Sequence, residues 1–183
     1  MRHPYLLALV SMLGGCIHLE QYPETWQPIV SRQGTDCAEL MGKYLDSGEI
    51  SSGGKVSLAA FLTPKSADLQ HPALSFQPTQ VELDVLQEKI LKVIFTDANS
   101  NLSELSFSRD KGEFDCGGGV LTLKQDSGLF SDKDVLVVGF WRLNVYRLQD
   151  QLVVSDYGGG AGFVSIFPAM LYMKRWARFK VVE

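Results

Sequence analysis

The chain has 183 residues, of which 45% are hydrophobic and 21% charged, and its formal net charge is −4. That length and apolar content suit one folded domain that needs no metal to fold. The acidity is mild and there is no block of Lys and Arg, which argues against a nucleic-acid partner, since phosphate binding draws on clustered cations.

The first residues read MRHPYLLALVSMLGGC. Arg2 and His3 give a short positive end, and Tyr5 to Met12 is an apolar run. Its length suits the hydrophobic region of a signal peptide and falls far short of the roughly 20 apolar residues of a membrane-spanning helix. Small residues Gly14 and Gly15 follow, and then Cys16. Leu13-Gly14-Gly15-Cys16 resembles the lipobox of bacterial lipoproteins, an aliphatic residue and two small ones before the cysteine that becomes the mature N-terminus. The resemblance implies that residues 1–15 are a cleaved signal peptide. It further implies that the Cys16 thiol carries a diacylglyceryl group, often with a third acyl chain on the new amine. Each buried methylene contributes about 0.8 kcal/mol, so two or three chains anchor stably where one does not. Residue 17 is Ile. In enteric-type lipoproteins an Asp at that place retains the protein in the inner membrane, so the resemblance implies the outer membrane, facing the periplasm, with the lipid on Cys16 as the membrane contact.

Three cysteines are present. With Cys16 acylated, Cys37 and Cys116 remain as an even pair in an oxidising compartment, which predicts a disulfide. The alternative, a reactive thiol, calls for a CxxC or a neighbouring His, and neither is visible. Residues 16–36 hold two prolines and no helical or strand period, so they are expected as a lipidated N-terminus and flexible tether spanning about 25 Å. The alternative is that Trp26 and Ile29 dock on the domain. Residues 37–183 are expected as a single β-rich periplasmic domain.

Within it, Ser47-Gly48 predicts a turn, and GGKVSLAAFL alternates as a half-buried strand. A long loop with three prolines follows, to about residue 80. VELDVL, KILKVIFTD and LSELSFSR then alternate in close order, with a turn at Ala98 to Asn101. GEFDCGGGVLTLKQD reads as two short strands around a glycine-rich kink. In KDVLVVGFWRLNVYRL the positions Val135, Val137, Trp141, Leu143 and Val145 stay apolar, and Gly139 among them predicts a bulge or tight bend. QLVVSDYG is its hairpin partner, YGGGAGFV a flexible turn, and MKRWARFKVVE the last strand. The expected fold is mainly β, an antiparallel barrel or sandwich of about nine short strands with little helix.

Signals for chemistry are sparse. A Ser–His–Asp triad or a zinc site needs His in a rigid pocket. Beyond residue 15 only His18 and His71 remain, in the tether and in a proline-bounded loop. There is no GxSxG, HExxH or phosphate-binding GxxxxGK[ST]. Acidic pairs such as Asp132 with Asp134, or Asp46 with Glu49, fall at turns. No catalytic, cofactor or metal residues are expected, and the chain is read as no enzyme. LYMKRWARFK is the one basic-aromatic cluster, with Lys174, Arg175, Arg178 and Lys180 beside Tyr172, Trp176 and Phe179. It reads first as a terminal strand with a basic outer face, and second as a contact for an anionic glycan, lipid headgroup or partner protein.

With its tether, the early Cys37 with LMGKYLDSGE and the C-terminal RWARF, the chain resembles small envelope lipoproteins of Gram-negative bacteria, a resemblance that implies no activity. The expected role is non-enzymatic, binding or structural, with an envelope protein or glycan as partner. Two further resemblances are weaker. Gly42-Lys43-Tyr44 is similar to the first-strand G-x-W of lipocalins, with Tyr44 in place of Trp, which implies a carrier of a small apolar ligand. FDCGGGVLTL is similar to the Y-x-C-x-x-G strand of periplasmic lysozyme inhibitors, with Phe114 for Tyr, which implies inhibition of a cell-wall hydrolase. No matching inhibitory loop accompanies it.

Overall fold

The computed structural model describes residues 16–29, 37–63, 74–132, 135–164 and 167–182. Two mainly antiparallel sheets face each other as an open sandwich, and neither closes into a barrel. The strands are β1 (Cys16–Leu19), β2 (Gly42–Leu45), β3 (Ser47–Ile50), β4 (Lys55–Ser57), β5 (Gln80–Leu86), β6 (Ile90–Thr96) and β7 (Leu102–Ser108). They continue as β8 (Phe114–Gly117), β9 (Val120–Asp132), β10 (Val135–Leu148), β11 (Gln151–Val164) and β12 (Phe167–Lys180). The smaller sheet runs β2-β5-β6-β7 and the larger β4-β3-β12-β11-β10-β9-β8, with β1 lying parallel on β12.

The alternating residues of β5, β6 and β7 bury Val81, Leu83, Leu91, Val93, Phe95, Leu105 and Phe107 against the larger sheet. That sheet answers with Phe114, Leu121, Leu123, Leu143, Val145, Leu152, Val154, Ala177 and Phe179. Strand alternation sends every second side chain to one face, so these short strands follow directly from the pattern. Cys37 and Cys116 are bridged by a disulfide, Cα to Cα 5.6 Å, across a separation of 79 residues.

Four expectations are corrected. The segment GGKVSLAAFL is strand only over β4; Leu58–Leu62 is a short helix, α1. Asp46 causes the switch: its buried carboxylate accepts from Ala59 N at 2.7 Å and from Ser57 Oγ at 2.9 Å, while Ser57 Oγ accepts from Ala60 N at 3.2 Å. Two caps at one helix start outweigh a weak alternation, and Leu58, Ala59, Phe61 and Leu62 then face the core.

Ser47-Gly48 belongs to β3 and is no turn. A Cβ at Gly48 would come within 2.3 Å of the Phe179 ring, so the glycine lets β3 close over that ring.

YGGGAGFV is no turn either but the distal half of β11, paired residue for residue with β10 and β12. At Gly158 a Cβ would meet the Trp141 ring at 2.5 Å. Gly158 thus makes room for a neighbouring aromatic within the sheet. Strands β9 to β12 therefore run to 13 or 14 residues, and the described residues form twelve strands instead of about nine short ones. An irregularity does fall near Gly139: the register of β10 on β9 shifts between Gly139 and Trp141, with the extra residue on β9, since Gly139 pairs with Gly128 and Trp141 with Gln125.

Residues 16–29, expected as part of a tether, lie on the domain. β1 pairs with β12, and Trp26 is buried with Val153 and Trp176. Residues 30–36, His71 and Asp134 lie outside the described residues.

Candidate functional site

The basic-aromatic cluster of β12 is largely consumed by the fold. Trp176 is buried, and its Nε1 donates to Glu20 O at 3.1 Å. Tyr22 stands edge-on to both Trp26 and Trp176, at 5.9 and 5.0 Å between ring centroids. Arg178 pairs with Glu49 at 2.8 Å and covers the Trp26 ring at 4.8 Å. Arg175 pairs with the buried Asp156. Burial pushes the Tyr22 phenol up from its ordinary range, and the Arg178 charge partly opposes it. These contacts fasten the N-terminal lead to the last strand. Lys174, its ammonium 4.6 Å from the Trp176 ring, is the cationic member nearest the distal end of the sheet.

A second place is an open depression of about 370 Å³ beside the disulfide, lined by Cys37, Ala38, Met41, Val85, Glu88, Arg109 and Cys116. Arg109 is held there by Asp115 at 3.1 Å. Its two sulfur atoms are spent on each other, so the depression offers no thiolate nucleophile.

The resemblances within the domain can be followed residue by residue. Tyr44 is fully buried; its hydroxyl donates to Leu40 O at 2.6 Å and accepts from Arg147 Nη1 at 2.7 Å. The space between the sheets is filled by side chains such as Tyr44, Phe95, Phe114 and Phe179, where a carrier would need an apolar cavity. Phe114 and Cys116 likewise point into that core. Among the described residues no group of His, Cys, Asp and Glu could hold a metal ion.

The third place is the N-terminal strand. The register pairs Cys16 with Leu171, Ile17 with Tyr172, His18 with Met173 and Leu19 with Lys174. Because β1 runs parallel to β12, Cys16 lies toward the distal end of the long strands. Three successive segments meet at that end: 135–141, 157–164 and 167–173. None contains a charged residue. Val138, Phe140, Phe163, Met170 and Met173 are exposed there. Sequence reasoning missed this surface by treating its middle segment as a turn. The available signal was three uncharged runs of matching length in succession, apolar on both parities, which is not how a half-buried strand reads.

Comparison of the chain with protein-family models, curated proteins and solved structures finds no match to any of them.

Proposed function

We propose that the chain is a lipoprotein held through acylated Cys16 in the outer membrane and facing the periplasm, with a β sandwich that serves a non-enzymatic binding or structural role. The observation that supports this reading is the parallel register of β1 on β12. It sets Cys16 beside the distal segments of β10, β11 and β12, which carry no charge. The acidic Asp126 and Asp132 of the same end lie on β9, separated from β12 by two strands. Acyl chains on the Cys16 thiol and amine would therefore leave the domain over these uncharged segments. The lead that follows is pinned by Trp26, which holds the domain close to the anchor point instead of on a long leash. No helix among the described residues is long and apolar enough to cross a membrane.

The test is the chemistry at residue 16. After expression in a Gram-negative host with an alkyne fatty acid, the protein should take up label, and its N-terminal peptide should begin at a diacylglyceryl-modified Cys16. Cys16→Ser should abolish labelling. A mature N-terminus at Met1, or an unmodified Cys16, refutes the anchor. Crosslinking in intact envelopes then tests the binding role: a specific protein or glycan adduct is the expected result.

A further inference from the structure

The distal end of β10, β11 and β12 has an ordered surface. Residues paired across neighbouring strands share one face, so the register writes this face as successive rows. One row is Val138, Ala161 and Met170. Val138 is 62% and Met170 63% exposed, and Phe163, one row further out, is 50% exposed. The next row toward the core is Phe140, Gly159 and Tyr172. Tyr157 leans into it, 5.5 Å from Phe140 and 5.0 Å from Tyr172 between ring centroids. The row after that is Lys124, Arg142, Tyr157 and Lys174. Aliphatic, aromatic and cationic side chains thus follow one another over about 14 Å of strand.

We propose that this end of the sheet docks on an anionic phospholipid surface. The aliphatic rows supply area that gains by leaving water. Tyrosines, apolar in body and polar at the tip, suit the boundary between acyl chains and headgroups. Lys124, Arg142 and Lys174 stand one step behind, where phosphates would lie, in a chain whose overall charge is negative. Among the described residues no carboxylate forms an ion pair with any of these three cations. β1 brings Cys16 to the same end, against Leu171 between the aliphatic and aromatic rows.

The depth of docking is limited by the backbone. Along β12, β1 covers only Leu171 to Lys174, and open sheet edges are not tolerated in hydrocarbon. The sheet therefore does not cross; its tip enters by the roughly 5–10 Å typical of interfacial elements. The inference rests on the membrane location proposed above but does not require acylation.

The experiment uses full-length Cys16→Ser protein and flotation with vesicles of phosphatidylethanolamine and phosphatidylglycerol. It is compared with the same protein carrying Val138→Asp and Met170→Asp, so that residues 1–15 contribute equally to both. The Asp pair should lower binding at least tenfold. Both positions are exposed, so circular dichroism should stay unchanged. Lys124→Gln, Arg142→Gln and Lys174→Gln should each weaken binding roughly fivefold on anionic vesicles and little on neutral phosphatidylcholine. Equal flotation of the Cys16→Ser protein and its Asp variant overturns the proposal. So does a change from dimer to monomer on adding the Asp pair without any loss of flotation, which would assign this face to a second copy of the chain. Failure of docking with Cys16 found acylated leaves the anchor standing; unmodified Cys16 with intact tip-dependent flotation removes the anchor and keeps the docking surface.

Discussion

The guanidinium of Arg178 lies over the ring of Trp26 at 4.8 Å, so the last strand grips a residue of the N-terminal lead. Tyr22 and Trp176 complete the cluster, and Glu20 accepts from the Trp176 indole. Trp26→Ala should cost about 3 kcal/mol, as expected for deleting a buried aromatic. For a domain of this size that lowers Tm by roughly 6–12 °C. Limited proteolysis gives a second readout: residues 20–29 should resist cleavage in the parent protein and become cut in the variant. Cleavage there in the parent would show a free lead.

The disulfide closes a loop of 79 residues by sequence separation. The chain-entropy relation gives about 4.5 kcal/mol for such a loop, an upper figure because native strain is neglected. Cys37→Ser with Cys116→Ser should lower stability by up to that amount, measured by urea unfolding. The double variant is the one to use, since a single one leaves a free thiol. Thiol titration of the unreduced, unfolded parent should find neither cysteine reactive, and two reactive thiols refute the bridge.

Strands β5, β6 and β7 of the smaller sheet were legible because each buries one face: Val81 and Leu83, Leu91 and Val93, Leu105 and Phe107 alternate with polar neighbours. Two kinds of segment were not. α1 takes its form from Asp46, a carboxylate outside the segment, and no window over residues 53–62 contains it. The distal half of β11 is glycine-rich, and local chemistry reads glycine as a turn. Its reason is long-range: the Trp141 ring occupies the space above Gly158. The candidate membrane surface was hidden by the same error. Val138, Ala161 and Met170 become one row only once β11 is known to continue between β10 and β12.

Asp46 joins β2, β3 and α1. Its backbone N–H donates to Thr79 O at 2.9 Å, and its carbonyl accepts from Leu58 N at 2.8 Å. Asp46→Ala keeps those backbone bonds but strips the side-chain cap from Ala59 N and leaves that buried donor unmatched. The expected cost is about 2–3 kcal/mol. Asp46→Asn retains an acceptor and should recover about half of it. Thermal unfolding of the two variants side by side makes the comparison, and equal losses would mean that the carboxylate charge, not the acceptor, is what α1 needs.

Tyr44 gives the domain an alkaline limit. Burial raises its phenol above the ordinary 10.0, and the hydrogen bond and charge of Arg147 oppose this in part. A group whose pKa is higher folded than unfolded holds its proton more tightly in the native state. Its contribution is complete below the unfolded value and is lost as pH climbs toward the folded one. Stability measured by urea unfolding should therefore be flat up to about pH 9 as far as Tyr44 is concerned and decline above pH 10. Tyr22 and Tyr146 are also raised by burial and add to the decline. Tyr44→Phe should make the alkaline slope shallower without abolishing it. At neutral pH the same variant loses its hydrogen bonds to Leu40 O and Arg147 Nη1, at a cost of about 1–2 kcal/mol. An unchanged slope above pH 10 in Tyr44→Phe would mean that the phenol titrates alike in the folded and the unfolded chain, and that the alkaline limit belongs to Tyr22 and Tyr146 instead.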